Sequence, residues 1–313
     1  MPTPVSLTIR AHAKLNLALS VGPPRPPKGY HPIASWFAPI DLHDEVTVRK
    51  LEAGAPSRYE IRWAADAPRP TPIDWPPERD LAVRAHRVLE RHVGRELPVA
   101  LTVEKRTPVG GGLGGGSSDA AAALVGVNRV HGLGIDGGAL RAISVALGSD
   151  VAFFLDERCV AGGSDVPRAA LVGGFGEQIE RIDSPRGGVL LFFPPFGCPT
   201  GAVYGAFDAS PTAGVDMRRV RALVNGAAAA GGVVDERALF NDLGGPACSV
   251  EPRLADVWER LRRACAPDAA VHLTGSGSTL FAMVAAGGSR SLRERCREGA
   301  PEVTVVDSGL CSS

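Results

Sequence analysis

The sequence has few aromatic residues, no excess of charge of either sign and no long apolar run. Phe, Tyr and Trp make up 5% of its 313 residues, and 34 basic residues balance 34 acidic ones. A net charge of zero argues against electrostatic binding to nucleic acids or anionic membranes. No run approaches the ~20 apolar residues of a membrane span, and the first residues lack the basic and apolar regions of a signal peptide. We therefore expect a cytoplasmic globular protein with neither nucleic-acid nor membrane partners.

Cysteine pairs at metal-binding spacing are also lacking. The six cysteines are scattered along the chain and none forms a C-x-x-C motif. This pattern gives no sign of a zinc knuckle or of a disulfide framework. We expect the cysteines to serve as small buried apolar residues.

Glycine, in contrast, is concentrated in one place. Residues 110–116 hold six glycines in seven positions, and the helix-forming run 120–125 follows almost at once. Such a run carries a high conformational cost in regular structure, so it indicates a sharp bend or a close approach to a ligand. We expect Ser117, Ser118 or Asp119 to cap the helix. Amide groups that lead into a helix N-terminus bind oxyanions, so the run predicts a nucleotide phosphate site.

The glycine run has three alternative interpretations besides a phosphate site at a helix start. A flexible linker is disfavoured because the run lies between the strand-like residues 99–103 and an alanine-rich helix. Gly110, Gly112 and Gly115 satisfy the dinucleotide-binding pattern, but the acidic residue expected about 20 positions later would be Asp136, which lies in a loop. A P-loop is excluded because no lysine follows Gly116. A nucleotide fold other than these two is therefore expected.

Hydrophobic periodicity predicts alternating strands and helices, which favours an α+β fold. Strands are predicted at 5–21 (as one or two), 33–40, 45–51, 58–63, 98–105, 188–193, 269–274, 279–284 and 302–307. Helices are predicted at 78–92, 118–131, 138–147, within 200–230, and at 253–264 and 289–298. Residues 156–178 read as short strand-sized pieces. The pattern resets near residue 170, which predicts one domain over 1–170 and a second over 171–313.

Phosphoryl transfer needs a phosphate cradle, a group that accepts a proton from the acceptor hydroxyl, and positive charge near the transferred group. Lys14 and Asn16 are two apart in a predicted strand and share a face. Asp150 supplies a carboxylate, and Gly275–Gly277 a second glycine turn. The spacing leaves open whether these groups meet. The Lys14 face could be the solvated one, Asp150 could cap the turn at 151–155, and Gly275–Gly277 could be an ordinary hairpin.

Six motifs occur in an order that resembles the GHMP kinase superfamily. They are Ala-Lys-Leu-Asn-Leu at 13–17, Gly-Tyr-His at 29–31, the glycine run with its helix at 108–124, Gly-Ser-Asp-Val-Ala-Phe-Phe at 148–154, Asn-Asp-Leu at 241–243 and Leu-Thr-Gly-Ser-Gly-Ser at 273–278. Gly-Tyr-His after Ala-Lys-x-Asn is most similar to the branch that phosphorylates a cytidine-diphosphate-linked methylerythritol in non-mevalonate isoprenoid synthesis. The resemblance implies the GHMP kinase fold, with an N-terminal ATP-binding domain like ribosomal protein S5 domain 2 and a ferredoxin-like C-terminal domain.

The same resemblance implies roles for individual residues. Asp150 would be the catalytic base and Lys14 its cationic partner. Tyr30, His31 and Tyr204 would hold the cytosine, and Asn16 would contact the erythritol. ATP would arrive with Mg²⁺, for which Ser118 is the candidate ligand. The ATP phosphates would lie along Pro108, Gly110, Gly111, Gly112, Leu113, Gly114, Gly115, Gly116, Ser117 and Ser118.

The sequence departs from the family pattern at three positions, and rival functions remain open. Asp80 replaces a common Asn, Ala152 a common Pro, and Gly244 a common Glu. Asp80 bears on nucleotide preference, because a carboxylate accepts hydrogen bonds but donates none. The rivals are a GHMP kinase with a mevalonate-like or amino-alcohol acceptor, a nucleotide-binding relative without catalysis, and a dinucleotide-dependent dehydrogenase. A homodimer is a further expectation.

Overall fold

The computed structural model describes residues 5–26, 29–209, 214–285 and 290–311. The strands are β1 (Ser6–Val21), β2 (Ile33–Lys50), β3 (Arg58–Trp63), β4 (Val99–Lys105), β5 (Ala170–Gly173), β6 (Gln178–Arg181), β7 (Gly188–Phe193), β8 (Phe240–Asn241), β9 (Val271–Leu273), β10 (Leu280–Val284) and β11 (Thr304–Gly309). The helices are α1 (Leu81–Val93), α2 (Gly115–Val130), α3 (Gly137–Ser144), α4 (Val151–Phe154), α5 (Glu157–Ala161), α6 (Thr200–Asp208), α7 (Met217–Ala229), α8 (Gly244–Val250), α9 (Pro252–Cys265) and α10 (Arg290–Gly299). The α+β class expected from the sequence is confirmed.

Two compact units make up the chain, and each is discontinuous in sequence. The first unit contains the chain up to Ala13, Leu42–Thr107 and Gly114–Pro167. The second unit contains Lys14–Asp41, Pro108–Leu113 and the chain from Arg168 onward. The first unit thus ends near the predicted boundary at residue 170, while the second also draws on two earlier segments. The division into domains 1–170 and 171–313 stays a prediction.

The first unit is built on the end of β2, which pairs with β4 in antiparallel fashion over Glu45–Lys50. Strand β3 runs parallel to β4 along its edge. Residues of β4 alternate between buried and partly exposed, as expected for a strand with one face on the core. Helix α2 packs against α1 and α4. It approaches the sheet closely, because a side chain on Gly126 would come within 2.7 Å of Val48.

The second unit contains a four-stranded antiparallel sheet in the order β11-β7-β10-β9. Strand β7 is buried at every position, which its uniformly apolar sequence predicts. Helix α9 buries Leu254, Val257 and Leu261 on one face, as its 3.6-residue periodicity predicts. With helices between β7 and β9 and helix α10 between β10 and β11, this is the ferredoxin-like β-α-β-β-α-β arrangement implied by the resemblance.

The path of the chain after α2 rules out the dinucleotide-binding alternative. A doubly wound fold would send the chain from β4 through α2 into a parallel strand of the same sheet. Instead α2 is followed by α3, α4 and α5, and the next strand is β5, which pairs antiparallel with β2. The pattern formed by Gly110, Gly112 and Gly115 is therefore a coincidence of a glycine-dense segment.

Several predicted boundaries differ from the structure. Strand β2 runs without interruption through the gap predicted at 41–44. Helix α2 begins at Gly115, three residues earlier than predicted, so two glycines form its first turn. Helices α5 and α8 were missed, because helices of five and seven residues show too little periodicity for detection. Residue 289, the predicted start of α10, lies outside the described residues.

The cysteines are free thiols, as expected. Cys198, Cys265, Cys296 and Cys311 are buried, as expected, whereas Cys159 and Cys248 are half-buried. None of the helices in the described part of the chain combines the length and the apolar character that crossing a bilayer requires.

Candidate functional site

Lys14 lies in β1 and is 97% buried, so the predicted alternative of a solvated face is wrong. Its Nζ donates to Asn16 Oδ1 at 2.6 Å and to the carbonyl oxygen of Gly112 at 3.0 Å. The ammonium also lies 4.8 Å from the centre of the Phe37 ring. A buried charge requires such partners, because desolvation without them is costly. The contacts hold the Lys14 charge against the glycine run.

Asn16 connects Lys14 to the rest of the second unit. Its Nδ2 donates to Ser35 Oγ at 2.9 Å, and the Ser35 hydroxyl donates to the carbonyl of Ala18 at 2.6 Å. The backbone N–H of Asn16 donates to Thr274 Oγ1 at 2.9 Å. With one amide hydrogen on Ser35 and its oxygen on Lys14, the Asn16 side chain has a fixed orientation.

The two glycine turns of the sequence interlock. Gly112 has φ +77°, and any side chain on it would overlap the carbonyl oxygen of Thr274. A side chain on Gly275 would in turn lie 2.8 Å from the carbonyl oxygen of Gly112. The backbone N–H of Thr279 donates to the carbonyl of Gly111 at 3.3 Å. Glycine is required here by close backbone approach as well as by positive φ.

Asn241 holds the Gly275–Gly277 turn in place through side-chain hydrogen bonds. Its Nδ2 donates to the carbonyl oxygens of Leu273 and Gly275, at 2.9 and 2.8 Å. Its Oδ1 accepts the backbone N–H of Leu243 at 2.9 Å. The Gly275–Gly277 segment joins β9 and β10, as a hairpin turn would, but Asn241 and Gly112 give it one conformation.

Helix α2 begins without a side-chain cap. Gly114 occupies the N-cap position with φ +71°, and the helix has no side-chain capping hydrogen bond among the described residues. The expectation that Ser117, Ser118 or Asp119 caps the helix is therefore wrong. The first N–H groups of any α-helix lack intrahelical partners and carry the positive end of its dipole. This helix start therefore has the donor set of an anion site.

Asp44, Lys105 and Asp119 form a buried ion cluster within the first unit. Lys105 Nζ donates to Asp44 Oδ2 at 2.8 Å and to Asp119 Oδ2 at 2.6 Å. Asp44 Oδ1 also accepts the backbone N–H groups of Arg106 and Thr107, at 2.5 and 2.7 Å. The cluster thus connects the end of β4 to the first turns of α2 within the first unit.

Charge and burial oppose each other in this ion cluster. Burial lowers the pKa of Lys105, but the charges of Asp119 and Asp44 outweigh it and raise that pKa overall. Burial raises the pKa of Asp119 against the opposing effect of Lys105. Sequence reasoning missed this cluster, although a signal was present. Alternation along β4 puts Val99, Leu101, Val103 and Lys105 on one face, so the lysine had to point inward.

Asp150 precedes α4 in the first unit. It occupies the N-cap position, yet its side chain makes no capping hydrogen bond, so the alternative interpretation as a cap is wrong. Ser149 Oγ lies 3.5 Å from Asp150 Oδ1. Helix α4 packs against α2, which begins with the uncapped turn. The roles of Asp150 and Lys14 in catalysis stay predictions.

Asp80 has a local structural role. Its carboxylate accepts the backbone N–H of Ala82 at 2.9 Å and caps α1, and Trp75 Nε1 donates to it at 3.2 Å. Both contacts need only an acceptor, which explains why aspartate suits this position.

The predicted base-binding residues His31 and Tyr204 lie together in the second unit. Their ring centroids are 4.8 Å apart, and Phe207 lies 5.8 Å from His31. His31 Nδ1 lies 2.9 Å from the carbonyl oxygen of Gly22, and its Nε2 lies 3.5 Å from Asp208 Oδ1. Tyr30 is 59% exposed. A planar ligand edge could meet aromatic, imidazole and carboxylate groups here.

Mg²⁺ stays a prediction, and the nucleotide phosphates would be its main ligands. In the described part of the chain, no three His, Cys, Asp or Glu side chains form a group that could hold a metal ion. Mg²⁺ commonly keeps its waters and substrate phosphates with one or two protein ligands. Ser118, which is 97% buried in the first turns of α2, stays the predicted protein ligand.

Comparisons with known proteins agree on one family. The model of the GHMP kinases N terminal domain matches residues 80–174. The chain is 35% identical over 307 residues to 4-diphosphocytidyl-2-C-methyl-D-erythritol kinase of Moorella thermoacetica, covering 96% of this chain and 98% of that protein. The same kinase of Aromatoleum aromaticum is 33% identical over 277 residues, covering 88% and 84%. A crystal structure of 4-(cytidine 5'-diphospho)-2C-methyl-D-erythritol kinase superposes with a TM-score of 0.71 at 31% identity, covering 97% of this chain and 99% of that one.

Proposed function

Because the chain belongs to the 4-diphosphocytidyl-2-C-methyl-D-erythritol kinase family of the GHMP kinases, we propose that it transfers a phosphoryl group from ATP to the 2-hydroxyl of 4-diphosphocytidyl-2-C-methyl-D-erythritol. This reaction belongs to non-mevalonate isoprenoid precursor synthesis. The observation that carries the proposal is the buried ammonium of Lys14, held by Asn16 against the carbonyl of Gly112.

In the proposed reaction, the Asp150 carboxylate accepts the proton of the substrate 2-hydroxyl. The hydroxyl oxygen forms a bond to the γ-phosphorus of ATP as the bond to the β–γ bridging oxygen breaks, and ADP leaves. Lys14 stabilises the negative charge that develops during transfer. The N–H groups at the start of α2 and in the glycine run bind the ATP phosphates. Mg²⁺, when bound, neutralises charge on the phosphate oxygens.

The same proposal assigns the cytidine end of the substrate to the aromatic residues. Tyr30 and Tyr204 stack on the cytosine, and His31 contacts its edge. The 4.8 Å separation of the His31 and Tyr204 rings supports this assignment. Asn16 contacts the erythritol end. A cytoplasmic location, Mg²⁺ bound by Ser118 and a homodimer complete the proposal as predictions.

An ATP-consumption assay with three acceptors tests the function. We expect turnover with the cytidine-diphosphate substrate and none with mevalonate or homoserine, because only the first offers a base to the aromatic residues. Turnover of mevalonate or homoserine alone would replace the proposed acceptor. If the chain binds ATP but turns over none of the three, it is a nucleotide-binding relative without catalysis.

Two charge-removing substitutions test the assigned roles. We expect Asp150→Asn and Lys14→Met each to lower the single-turnover rate by at least about a hundredfold while ATP binding persists. Lys50→Met, on an exposed lysine at the end of β2, is the matched control and is expected to react at the wild-type rate. Equal rates for wild type and Asp150→Asn would contradict the assignment of the base.

A further inference from the structure

Helix α6 presents an aromatic ring and a carboxylate on the same face. Tyr204 and Asp208 are four residues apart, which places them one above the other on the helix surface. The His31 ring packs across both, with its centroid 4.8 Å from that of Tyr204 and its Nε2 3.5 Å from Asp208 Oδ1. A flat base on Tyr204 whose edge faced His31 would also meet Asp208, because the two side chains are adjacent.

The hydrogen-bonding character of His31 Nε2 follows from the contact that the other ring nitrogen, Nδ1, makes. His31 Nδ1 lies 2.9 Å from the carbonyl oxygen of Gly22, which accepts only, so Nδ1 carries the hydrogen. In the neutral imidazole, Nε2 is then an acceptor. The Asp208 carboxylate is an acceptor as well. Their separation of 3.5 Å exceeds the 2.7–2.9 Å of a charge-assisted hydrogen bond.

The position of Asp208 in α6 is unfavourable for the stability of that helix. It is the last residue of α6, where the helix dipole favours positive rather than negative charge. Its side chain is 41% exposed, whereas that of His31 is 8% exposed. A carboxylate that is partly open to solvent and adjacent to a buried imidazole is accessible to a ligand that contacts both groups.

We propose that Asp208, together with Nε2 of His31, binds the 4-amino group of cytosine and makes this kinase selective for cytidine over uridine. The amino group carries two N–H donors, one for each acceptor. Uracil has a carbonyl oxygen at this position, which would face two acceptors without a hydrogen between them. This inference rests on the proposed function, because it takes the base to lie on Tyr204.

The test compares the natural substrate with its uridine counterpart, in which uracil replaces cytosine and the remainder is unchanged. The value of kcat/KM is measured for both with wild type and with Asp208→Asn. The Asn amide donates as well as accepts. We expect Asp208→Asn to reduce the preference for cytidine by about tenfold or more, through a lower value for cytidine and a higher value for uridine.

Asp256→Asn serves as the matched control, because Asp256 is an exposed carboxylate on α9 that pairs with Arg260. It is expected to keep the wild-type preference. A structural role for Asp208 would change both substrates by the same factor, and that result overturns the inference, as does an unchanged preference. If wild type itself turns over neither substrate, the proposed function fails, so the two failures are distinguishable.

Discussion

At the scale of the residue, Gly112 is constrained both by its positive φ and by a close backbone contact. Two substitutions can measure these effects separately. Gly112 and Gly94 both have positive φ, +77° and +69°, but only Gly112 faces a backbone oxygen where a side chain would be. We expect Gly94→Ala to cost about 1 kcal/mol of unfolding free energy from backbone strain alone. Gly112→Ala is expected to cost several times more and to abolish ATP turnover. Urea unfolding of both variants measures the difference, and equal costs would show that the contact with Thr274 yields easily.

His272 gives the molecule a predictable response to acid. It lies on β9, and burial, with a smaller effect of Arg262, lowers its pKa from 6.5 to about 4. Below pH 6.5 the unfolded chain takes up a proton that the folded chain refuses, so stability falls as the pH drops toward 4 and then levels off. The loss amounts to at most about 3 kcal/mol.

Unfolding free energies between pH 7 and pH 4 measure this effect. His272→Phe is expected to remove part of the decline, because its ring keeps the packing against Phe281 without a titrating group, while burial also lowers the pKa of His86 and of His131. His92→Asn, on an exposed histidine of α1, is expected to leave the decline as in wild type. An identical pH dependence in wild type and His272→Phe would contradict the prediction.

At the scale of the element, the ion cluster of Asp44, Lys105 and Asp119 determines how β4 leads into α2. Lys105→Met would leave two buried carboxylates without their cation, and we expect a loss of about 3–5 kcal/mol. Adding Asp119→Asn removes one of those charges and should restore part of the loss. Urea unfolding of the single and double variants measures this coupling. Surface Lys50→Met is the control, and a double variant no more stable than Lys105→Met would contradict the charge argument.

The sequence predicts regular elements better than their ends. The alternation in β4 and the face of α9 locate these elements because each buries one side. The start of α2 was misplaced because glycine weakens helices in general, whereas here Gly115 lies where a side chain would come within 2.7 Å of Thr107. This close contact is made with a residue just after β4, and the helix propensity of the glycine run takes no account of such a neighbour.

The same limit explains which site residues were predictable. The motifs identify Lys14, and neither periodicity nor spacing could show that its ammonium contacts the carbonyl of Gly112, far along the chain. Asp208 lies in no recognised motif, and only the packing of His31 against α6 brings it to attention. Contacts between distant segments depend on the completed fold, so local patterns leave them open.

At the scale of the whole molecule, the discontinuous second unit predicts that residues 171–313 do not fold without the earlier segments. The second unit requires β1 and β2, since β1 pairs with β8 and β2 with β5. We therefore expect a fragment of residues 171–313, which lacks β1 and β2, to lack a cooperative thermal transition, whereas the full chain shows one. Circular dichroism melting and amide proton dispersion test this. A 171–313 fragment that unfolds sharply would instead support an independent domain over those residues.

The parallel pairing of Ala18 and Leu19 with Phe240 and Asn241 has a consequence for the order in which this protein is made. The ribosome synthesises β1 long before its partner β8, because ten or more helices and strands separate the two along the chain. Until β8 is made, one edge of β1 lacks its partner strand, and apolar strands with an unpaired edge associate readily with other chains. We therefore expect protection of the nascent β1 segment, by a chaperone or by rapid translation, to increase the yield of folded protein.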